Sequence, residues 1–489
     1  MDAILFWNEV ALDANRDSHT TGQDAGVLGP PLSARALAIV HLAMYEAFAG
    51  ASGNPADLPP YLTSTTSPPA PVRPLVGQAM PEAAVAAAAR RTLLCLHPSL
   101  AKEINKKYQS FVSSLTGPSV PRGLAFGELV ADLILSDRGD DPDVSEIDGK
   151  TGAVYVAPLT HGTHRKDPDN PTQPYHAPFY GKNAKCFSVA SRHSLDAPPL
   201  ADPSSTEYMD ALNEVRGKGI APELMGTLPA SVTKRTVDET LKGIFWGYDG
   251  AMKLGTPPRL YNQIVRIVAA KQGNTQAKNA RLFALVNVAM ADAGILAWAD
   301  KYKYNYWRPV VAIREHDASM GPQGVASNNI SNACDTGWLP LGGPKTNEPG
   351  KKNFTPPFPA YPSGHATFGA AALHITRLFY GDAGPNTDQL FKDLSLVSEE
   401  FDGVNVDNKG TVRPRHVRNF QDGLWQMMIE NSRSRVFLGV HWVFDGFATT
   451  GSSETPDLNR FVGGVPLGMR IAEDIFNKGA NLGLKKSNV

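Results

Sequence analysis

The chain has 489 residues, a length compatible with two or three average domains or with one large domain. Its 47 Lys and Arg residues and 48 Asp and Glu residues give a formal net charge of -1, without a long run of one sign, so no nucleic-acid partner is expected. No apolar stretch predicts a membrane span, and the 3 scattered cysteines argue against a disulfide framework or a zinc site. We therefore expect a soluble protein in which any strongly basic site is local.

Helical periodicity dominates the chain, and no series of alternating strands accompanies it. Apolar residues at three- and four-residue steps predict helices at 33–50, 81–96, 237–252, 259–270, 277–302 and 420–438. A proline-rich span at 51–74 and an irregular tract at 138–205 predict ordered loops that wrap the helices. The fold expected is mainly α, with two packed helix bundles and long ordered loops. Its regions would be 1–205 and 206–489, or one compact domain overall.

The first basic motif is DKYKYNYWRPV, in which Lys301 and Arg308 stand seven residues apart. Seven residues are close to two helical turns, so both cations would face one way if the segment is helical. Two solvated charges on a surface helix are the commoner explanation of such a motif, so it decides nothing alone.

The second motif, PPFPAYPSGHATFG, places Ser363, Gly364 and His365 between a proline-rich approach and an apolar run. That setting predicts a helix N-terminus, where unpaired backbone N–H groups and the Ser363 hydroxyl can converge on an oxyanion. Gly364 also lets a ligand approach the backbone closely. An ordinary serine N-cap followed by a chance histidine is the alternative explanation.

The third motif, SRSRVFLGVHWVFD, contains Arg435, then His441, then Asp445 four residues further on. On a helix the last pair would share a face. An aspartate there can accept from one imidazole nitrogen and leave the other as a lone-pair donor to a metal. A histidine satisfied within the core is the commoner explanation of such a residue on its own, and it is the conjunction of three motifs that predicts an oxyanion site.

In this order, Lys-x6-Arg-Pro, Pro-Ser-Gly-His and Ser-Arg-x5-His-x3-Asp resemble the signature of the type 2 phosphatidic acid phosphatase and vanadium haloperoxidase superfamily. Further stretches, among them ILFWNEVALDANRDSHT, GTPPRLYNQIVRIVA and VGGVPLGMRIAEDIFN, are similar to the fungal vanadium chloroperoxidase branch. These stretches run through nearly the whole chain. The resemblance implies the helix-bundle fold of that superfamily and one vanadate cofactor per chain.

The resemblance also implies a role for each matched residue. His441 would be the only residue bonded to vanadium. The vanadate oxygens would be held by the other matched positions, which are Lys301, Arg308, Ser363, Gly364, His365 and Arg435. His365 would be the acid–base residue that accepts a proton from hydrogen peroxide, while Lys301 would polarise the peroxide.

Three further positions match residues around the site of the chloroperoxidase branch. Trp298 and Phe358 would line the halide pocket, although core packing explains both aromatic residues as well. Asp249, in the sequence FWGYDG, would pair with Arg435 and hold its guanidinium group in place.

The implied reaction is oxidation of chloride or bromide by hydrogen peroxide to hypohalous acid, which then halogenates a small organic acceptor. Vanadium would act as a Lewis acid, so no haem, flavin or nicotinamide is expected. Because hypohalous acid damages the inside of a cell, the chemistry and the resemblance together indicate an extracellular or exported protein.

Two other functions compete with the haloperoxidase. Phosphate has the same tetrahedral shape as vanadate, so the chain could be an acid phosphatase with His441 as nucleophile and His365 as proton donor. It could also be a catalytically silent oxyanion-binding protein, but both histidines are present. The chloroperoxidase-like flanks, with Trp298 and Phe358, favour the peroxidase.

Overall fold

The computed structural model describes residues 2–53, 58–202, 204–324, 333–450, 452–478 and 484–489. Over these residues the chain is mainly helical, as predicted. The helices are α1 (Ala3–Thr21), α2 (Pro30–Ser52), α3 (Pro81–Leu96), α4 (Ala101–Val112), α5 (Val120–Asp137), α6 (Tyr180–Asn183), α7 (Thr206–Lys218), α8 (Val237–Phe245), α9 (Pro257–Lys271), α10 (Gln276–Tyr304), α11 (Pro309–Arg314), α12 (Gly364–Tyr380), α13 (Gly423–Phe437), α14 (Val443–Gly446) and α15 (Gly464–Lys478).

Two small antiparallel sheets complete the secondary structure of the described residues. The strands are β1 (Leu394–Val397), β2 (Val417–Phe420), β3 (Thr449–Thr450) and β4 (Ser452–Pro456). Strand β1 pairs with β2, with Leu394 opposite Phe420, and β3 pairs with β4. Neither sheet contains more than two strands, so the core is built by helices.

Helix α10 is the central helix of the fold. It has 29 residues, and nearly all of its side chains from 279 to 301 are buried. It packs against α2, α9, α12 and α15, so its apolar residues cover the whole circumference rather than one stripe. The contact with α2 joins the two predicted regions through one core. The boundary near residue 205 stays a prediction.

The two longest buried helices correct one expectation from the sequence. Within the described residues, α2 and α10 are both long and apolar enough to cross a membrane by length and composition. In each helix, however, 94% of the most apolar window is buried inside the protein. Packing in a core of helices therefore accounts for their hydrophobicity.

Buried carboxylates on these helices hold the long loops. Asp292 of α10 accepts hydrogen bonds from the backbone N–H groups of residues 187–189, two of them at 2.8 and 2.9 Å. Asp300 accepts from the Leu195 N–H at 2.8 Å and the Ser194 hydroxyl at 2.9 Å. Because loop N–H groups are satisfied by helix side chains, the described part of the tract at 138–205 is fixed on the core.

Two of the predicted helices have wrong ends. Helix α8 stops at Phe245, whereas the pattern predicts a helix to residue 252. Tyr248 has φ 53° and Gly250 has φ 76°, values that an α-helix cannot contain. Phe420 belongs to β2, and α13 begins only at Gly423. All three cysteines are free, and Cys95 is exposed.

Candidate active site

The three basic motifs meet where α10 and α13 end and α12 begins. Lys301, Arg308 and Arg435 are 0%, 0% and 1% exposed, respectively. Removing three cations from water is strongly unfavourable unless carboxylates, hydrogen bonds or a bound anion compensate them. Two carboxylates, Asp249 and Asp445, accompany them. The arrangement keeps an excess of positive charge inside the protein.

Lys301 and Arg308 converge, but not on one helix face. Helix α10 ends at Tyr304, Asn305 takes a left-handed conformation, and Arg308 is the N-cap residue of α11. The turn brings both cations to the ring of Phe358. The Lys301 Nζ atom lies 5.1 Å from the ring centroid, and the Arg308 Cζ atom lies 5.0 Å from it.

The Lys301 ammonium donates to three backbone carbonyls. Its Nζ atom lies 2.8 Å from the Pro359 oxygen and 3.1 Å from the Ala360 oxygen, and it also donates to Pro362. These contacts use its three donors and fix the loop that leads into α12. Burial, followed by the charge of Arg308, lowers the pKa of Lys301 well below its ordinary value. A bound anion would oppose both effects.

His441 is held in one tautomer by Asp445. The Nδ1 atom of His441 donates to the Asp445 Oδ2 atom at 2.7 Å, and Arg308 Nη1 donates to Nε2 at 2.9 Å. Nε2 is therefore the nitrogen with the lone pair. The pair does not share a helix face, because α14 begins only at Val443. Instead, the Trp442 N–H also donates to Asp445 Oδ2, at 3.0 Å, and fixes the carboxylate.

Helix α12 begins at the predicted place. Ser363 is its N-cap residue, and the Ser363 hydroxyl accepts from the Ala366 N–H at 3.4 Å. His365, in the first turn, donates from Nε2 to the Gly247 carbonyl at 2.7 Å. That bond leaves Nδ1 as the proton acceptor. Burial, followed by the charge of Arg435, lowers the pKa of His365 to about 4, so the ring is neutral near pH 7.

Arg435 is oriented by a carboxylate on the segment that follows α8. Its Nη2 atom donates to Asp249 Oδ1 at 2.7 Å. The remaining atoms Nε and Nη1 of Arg435, and Nη2 of Arg308, are buried and find no hydrogen-bond partner among the residues that the structure describes. Buried guanidinium donors are normally satisfied, so these atoms indicate a place for acceptor oxygens.

An apolar wall lines a small cavity together with Arg435 and His441. The rings of Trp298 and Phe358 lie with centroids 4.8 Å apart, and both contribute to the lining. The full lining consists of Pro30, Asp249, Trp298, Pro356, Phe358, Gly364, His365, Phe368, Arg435 and His441. A Cβ atom added at Gly364 would lie 3.4 Å from the Trp298 ring, so a larger residue would narrow this cavity.

Comparisons with known proteins identify the family of the chain. Residues 1–142 match the family described as vanadium chloroperoxidase N-terminal domain, and residues 281–453 match the family described as VCPO second helical-bundle domain. Vanadium chloroperoxidase of Curvularia inaequalis is 35% identical over 572 residues, which cover 97% of this chain and 90% of that protein. The chain belongs to the vanadium haloperoxidase family.

Solved haloperoxidase structures share the fold. A bacterial vanadium-dependent iodoperoxidase matches with a TM-score of 0.66 at 21% identity, covering 96% of both chains. The holo form of a bacterial vanadium-dependent chloroperoxidase matches with a TM-score of 0.58 at 15% identity, also covering 96% of both chains. At these identities the superpositions support the mainly helical architecture of this haloperoxidase.

Vanadate is the cofactor of this family, and the residues at the site fit it. The lone pair of His441 Nε2 is a suitable ligand for the metal, and the unpartnered donors of Arg308 and Arg435 suit its oxygens. The N-terminus of α12, with Ser363 as N-cap, adds backbone N–H groups that have no intrahelical partner.

Several residues around the site were not identified from the sequence. Pro30, Pro356 and Phe368 line the cavity, and the Gly247 carbonyl fixes the tautomer of His365. Apolar lining residues carry no chemical signal in a sequence, and a carbonyl acts independently of residue type. The sequence signal that could have pointed to Gly247 is its position two residues before Asp249, which was already identified.

Proposed function

We propose that this haloperoxidase holds vanadate at His441 and oxidises bromide, and less readily chloride, with hydrogen peroxide. One observation carries the proposal. The lone-pair nitrogen of a buried histidine, fixed by Asp445, lies against a buried guanidinium group whose Nη2 atom has no partner among the described residues. A metal oxyanion would take the Nε2 lone pair in place of the Arg308 Nη1 donor and would give the guanidinium donors acceptor oxygens, whereas a neutral ligand leaves the positive charge uncompensated.

The three cations of the site have different roles. Arg308 and Arg435 offer fixed donors to oxyanion oxygens, and Lys301 contributes its charge while it holds the loop 359–362. When bound, vanadate supplies a Lewis acid that activates hydrogen peroxide toward halide. The guanidinium groups then hold the negative charge of the anion during this chemistry.

His365 moves the proton. Its Nδ1 atom, left as acceptor by the Nε2 bond to Gly247, takes a proton from hydrogen peroxide and returns it to the oxygen that leaves as water. The peroxide bond is reduced as halide is oxidised, so peroxide, halide and one proton give hypohalous acid and water. The acid then halogenates a small electron-rich organic acceptor.

The apolar wall sets the halide preference. Trp298 and Phe358 would replace part of the water around a bound halide with apolar ring surface, which carries no positive charge to compensate the anion. Chloride is the smaller and more strongly hydrated ion, so losing its water is less favourable than for bromide. Bromide is also the more easily oxidised of the two halides.

The proposal is tested on the apoprotein supplied with orthovanadate, hydrogen peroxide and a phenolic indicator dye. We expect vanadate-dependent bromination, slower chlorination at mildly acidic pH, and loss of both in His441→Ala. His374→Ala is the matched control, because His374 is also buried and lies 3.4 Å from a carboxylate, that of Glu473. Bromination that needs no vanadate, or that survives in His441→Ala, would contradict the proposal.

A phosphatase activity of the same site is the second outcome to measure. The tautomer that presents Nε2 of His441 to a metal also presents it to phosphorus. Hydrolysis of p-nitrophenyl phosphate without vanadate, lost in His441→Ala, would show that the site retains this chemistry. We expect it to be slow beside bromination.

We also propose that the protein works outside the cell, because its product reacts with thiols and amines. The test is the distribution of vanadate-dependent bromination between culture medium and cell lysate of the source organism. Activity confined to the lysate would contradict this location.

A further inference from the structure

The segment that follows α8 makes two contacts with the proposed vanadate site. The Gly247 carbonyl accepts from His365 Nε2 at 2.7 Å, and the Asp249 carboxylate accepts from Arg435 Nη2 at 2.7 Å. This turn, residues 247–249, therefore fixes both the proposed proton acceptor and one of the proposed anion-binding guanidinium groups.

The turn is strained and needs support from outside. Tyr248, between the two contacting residues, has φ 53°, a left-handed conformation that is unfavourable for a bulky side chain. Such a backbone persists only where neighbouring groups fix it. The neighbours in this case come from the short helical segment Glu399–Phe401 and from Ser398, which precedes it.

Glu400 is the central residue of that support. Its side chain is 0% exposed, and its Oε1 atom accepts from the Tyr248 N–H at 3.3 Å. A Cβ atom added at Gly247 would lie only 2.6 Å from the same oxygen, so the carboxylate lies directly against the turn. Its other oxygen accepts from Arg413 Nη1 at 2.6 Å and from the Thr346 hydroxyl.

Two neighbouring bonds attach the same segment to the turn. The Ser398 hydroxyl donates to the Phe245 carbonyl at 2.7 Å, and the Glu399 N–H donates to the Tyr248 hydroxyl at 3.0 Å. These bonds place the segment, but only the Glu400 carboxylate reaches the backbone between Gly247 and Asp249.

We infer that Glu400 is a positioning residue of the haloperoxidase, which acts on His365 and Arg435 through the turn 247–249. The inference rests on the proposed function. Loss of the Glu400 carboxylate would let the turn relax. The Gly247 carbonyl would then no longer select the tautomer of His365, and the Asp249 carboxylate would no longer orient Arg435.

Glu46 provides a matched control for substitution of Glu400. It is also buried, its pKa is also raised by burial to about 7, and it also accepts a backbone N–H, that of Tyr61. In the described part of the loop that it holds, the Tyr61 hydroxyl donates to the Phe187 carbonyl and not to a residue of the proposed site. Glu46→Gln therefore reproduces the change in a buried loop-holding carboxylate without changing the turn.

The experiment compares wild type, Glu400→Gln, Glu400→Ala and Glu46→Gln by three measurements. They are vanadate affinity of the apoprotein by calorimetry, the ring nitrogen shifts of His365 in the apoprotein by NMR, and kcat and KM for bromination. We expect Glu400→Ala to weaken vanadate binding and lower kcat, each by about tenfold, as is typical for residues that orient ligands. Glu400→Gln, which keeps an acceptor oxygen, should lie between this variant and wild type.

The NMR measurement separates positioning from simple destabilisation. In both Glu400 variants we expect the His365 ring to populate both tautomers, whereas Glu46→Gln should keep the single tautomer and wild-type kcat. If Glu400→Ala does not fold, Glu400→Gln decides. Wild-type shifts, affinity and kcat in Glu400→Gln, or equal changes in Glu46→Gln, would overturn the inference. A wild-type protein that binds vanadate without halogenating would instead refute the proposed function and leave the binding and NMR measurements to test Glu400.

Discussion

Two sets of buried charges in this protein differ in how fully their hydrogen bonds are satisfied. The carboxylates Asp292 and Asp300 of α10 are surrounded by N–H and hydroxyl donors from the loop 187–195. The guanidinium groups of Arg308 and Arg435 are just as buried, yet three of their nitrogen atoms have no partner within the described residues.

The difference separates a structural from a functional use of buried charge. A carboxylate saturated by backbone donors orders a loop and has little capacity left for a ligand. A guanidinium group with unpartnered donors is destabilising until an acceptor arrives, so its free energy is available for binding. Removing a charge from the structural set, the carboxylates of α10, should therefore lower stability. Removing a charge from the functional set, the guanidinium groups, should lower the affinity for the ligand.

Arg308→Met gives the largest expected effect on the functional set. We expect vanadate affinity to fall by about a hundredfold, because a buried charge-assisted contact contributes about 2–3 kcal/mol. Stability of the apoprotein should change by less than about 1 kcal/mol, since relief of a buried charge offsets the lost bonds to the Phe358 and Val440 carbonyls. Calorimetric titration and urea unfolding measure the two quantities. A variant with a lower free energy of unfolding but the vanadate affinity of wild type would place Arg308 in the structural set.

Asp292→Asn is the opposite test, on the structural set. We expect the free energy of unfolding to fall by about 2 kcal/mol, because the new amide cannot accept from all of the loop N–H groups. The specific activity of the folded fraction should stay at the wild-type value. Urea unfolding and active-site titration with vanadate measure this, with the exposed Asp238→Asn as control. Loss of activity in a variant of normal stability would contradict the division.

Asp445 has features of both sets, because it accepts from the imidazole of His441 at the site and from a backbone N–H, and Asp445→Asn tests this case. An asparagine can donate to Nδ1 and so favour the tautomer with a proton on Nε2, and we expect vanadate affinity to fall by about tenfold or more. Asp445→Glu, which keeps the charge, should retain more affinity than the amide. Equal affinity of wild type and Asp445→Asn would show that the carboxylate does not set the tautomer.

The same variant has a pH dependence of stability with a definite sign. Burial raises the pKa of Asp445 from 3.8 to about 7, so the folded protein binds a proton more tightly than the unfolded chain. The stability that this proton provides is complete below about pH 3.8 and is lost as the pH rises to about 7. Asparagine does not titrate, so the apoprotein of Asp445→Asn should gain stability relative to wild type across that interval. Thermal melts of both proteins at several pH values measure it.

The sequence predicted the helices with complete apolar coverage, such as α10, and it singled out side chains that the structure brings together at the proposed site. It could not predict how Lys301 and Arg308 meet, because the left-handed turn at Asn305 depends on tertiary contacts rather than helical period. It placed Tyr248 in a helix for the same reason, since FWGYDG continues the apolar pattern while Glu400, far along the chain, fixes the turn. The hydrogen-bond partners of such buried donors lie far away in the chain, so local sequence patterns do not predict them.

Phe358→Leu gives the smallest expected effect and tests whether the apolar wall belongs to either set. The Phe358 ring lies near the charges of both Lys301 and Arg308, and such a cation–ring contact contributes about 2 kcal/mol at a desolvated site. Leucine keeps the wall apolar but opens space beside Trp298, which favours the larger halide. We expect the ratio of kcat/KM for bromide to that for chloride to rise a few-fold. Phe368→Leu is the control, because Phe368 also lines the cavity, while among the described residues Lys301 and Arg308 lie over the Phe358 ring and not over Phe368. An unchanged halide ratio accompanied by a lower unfolding free energy would assign Phe358 to core packing alone.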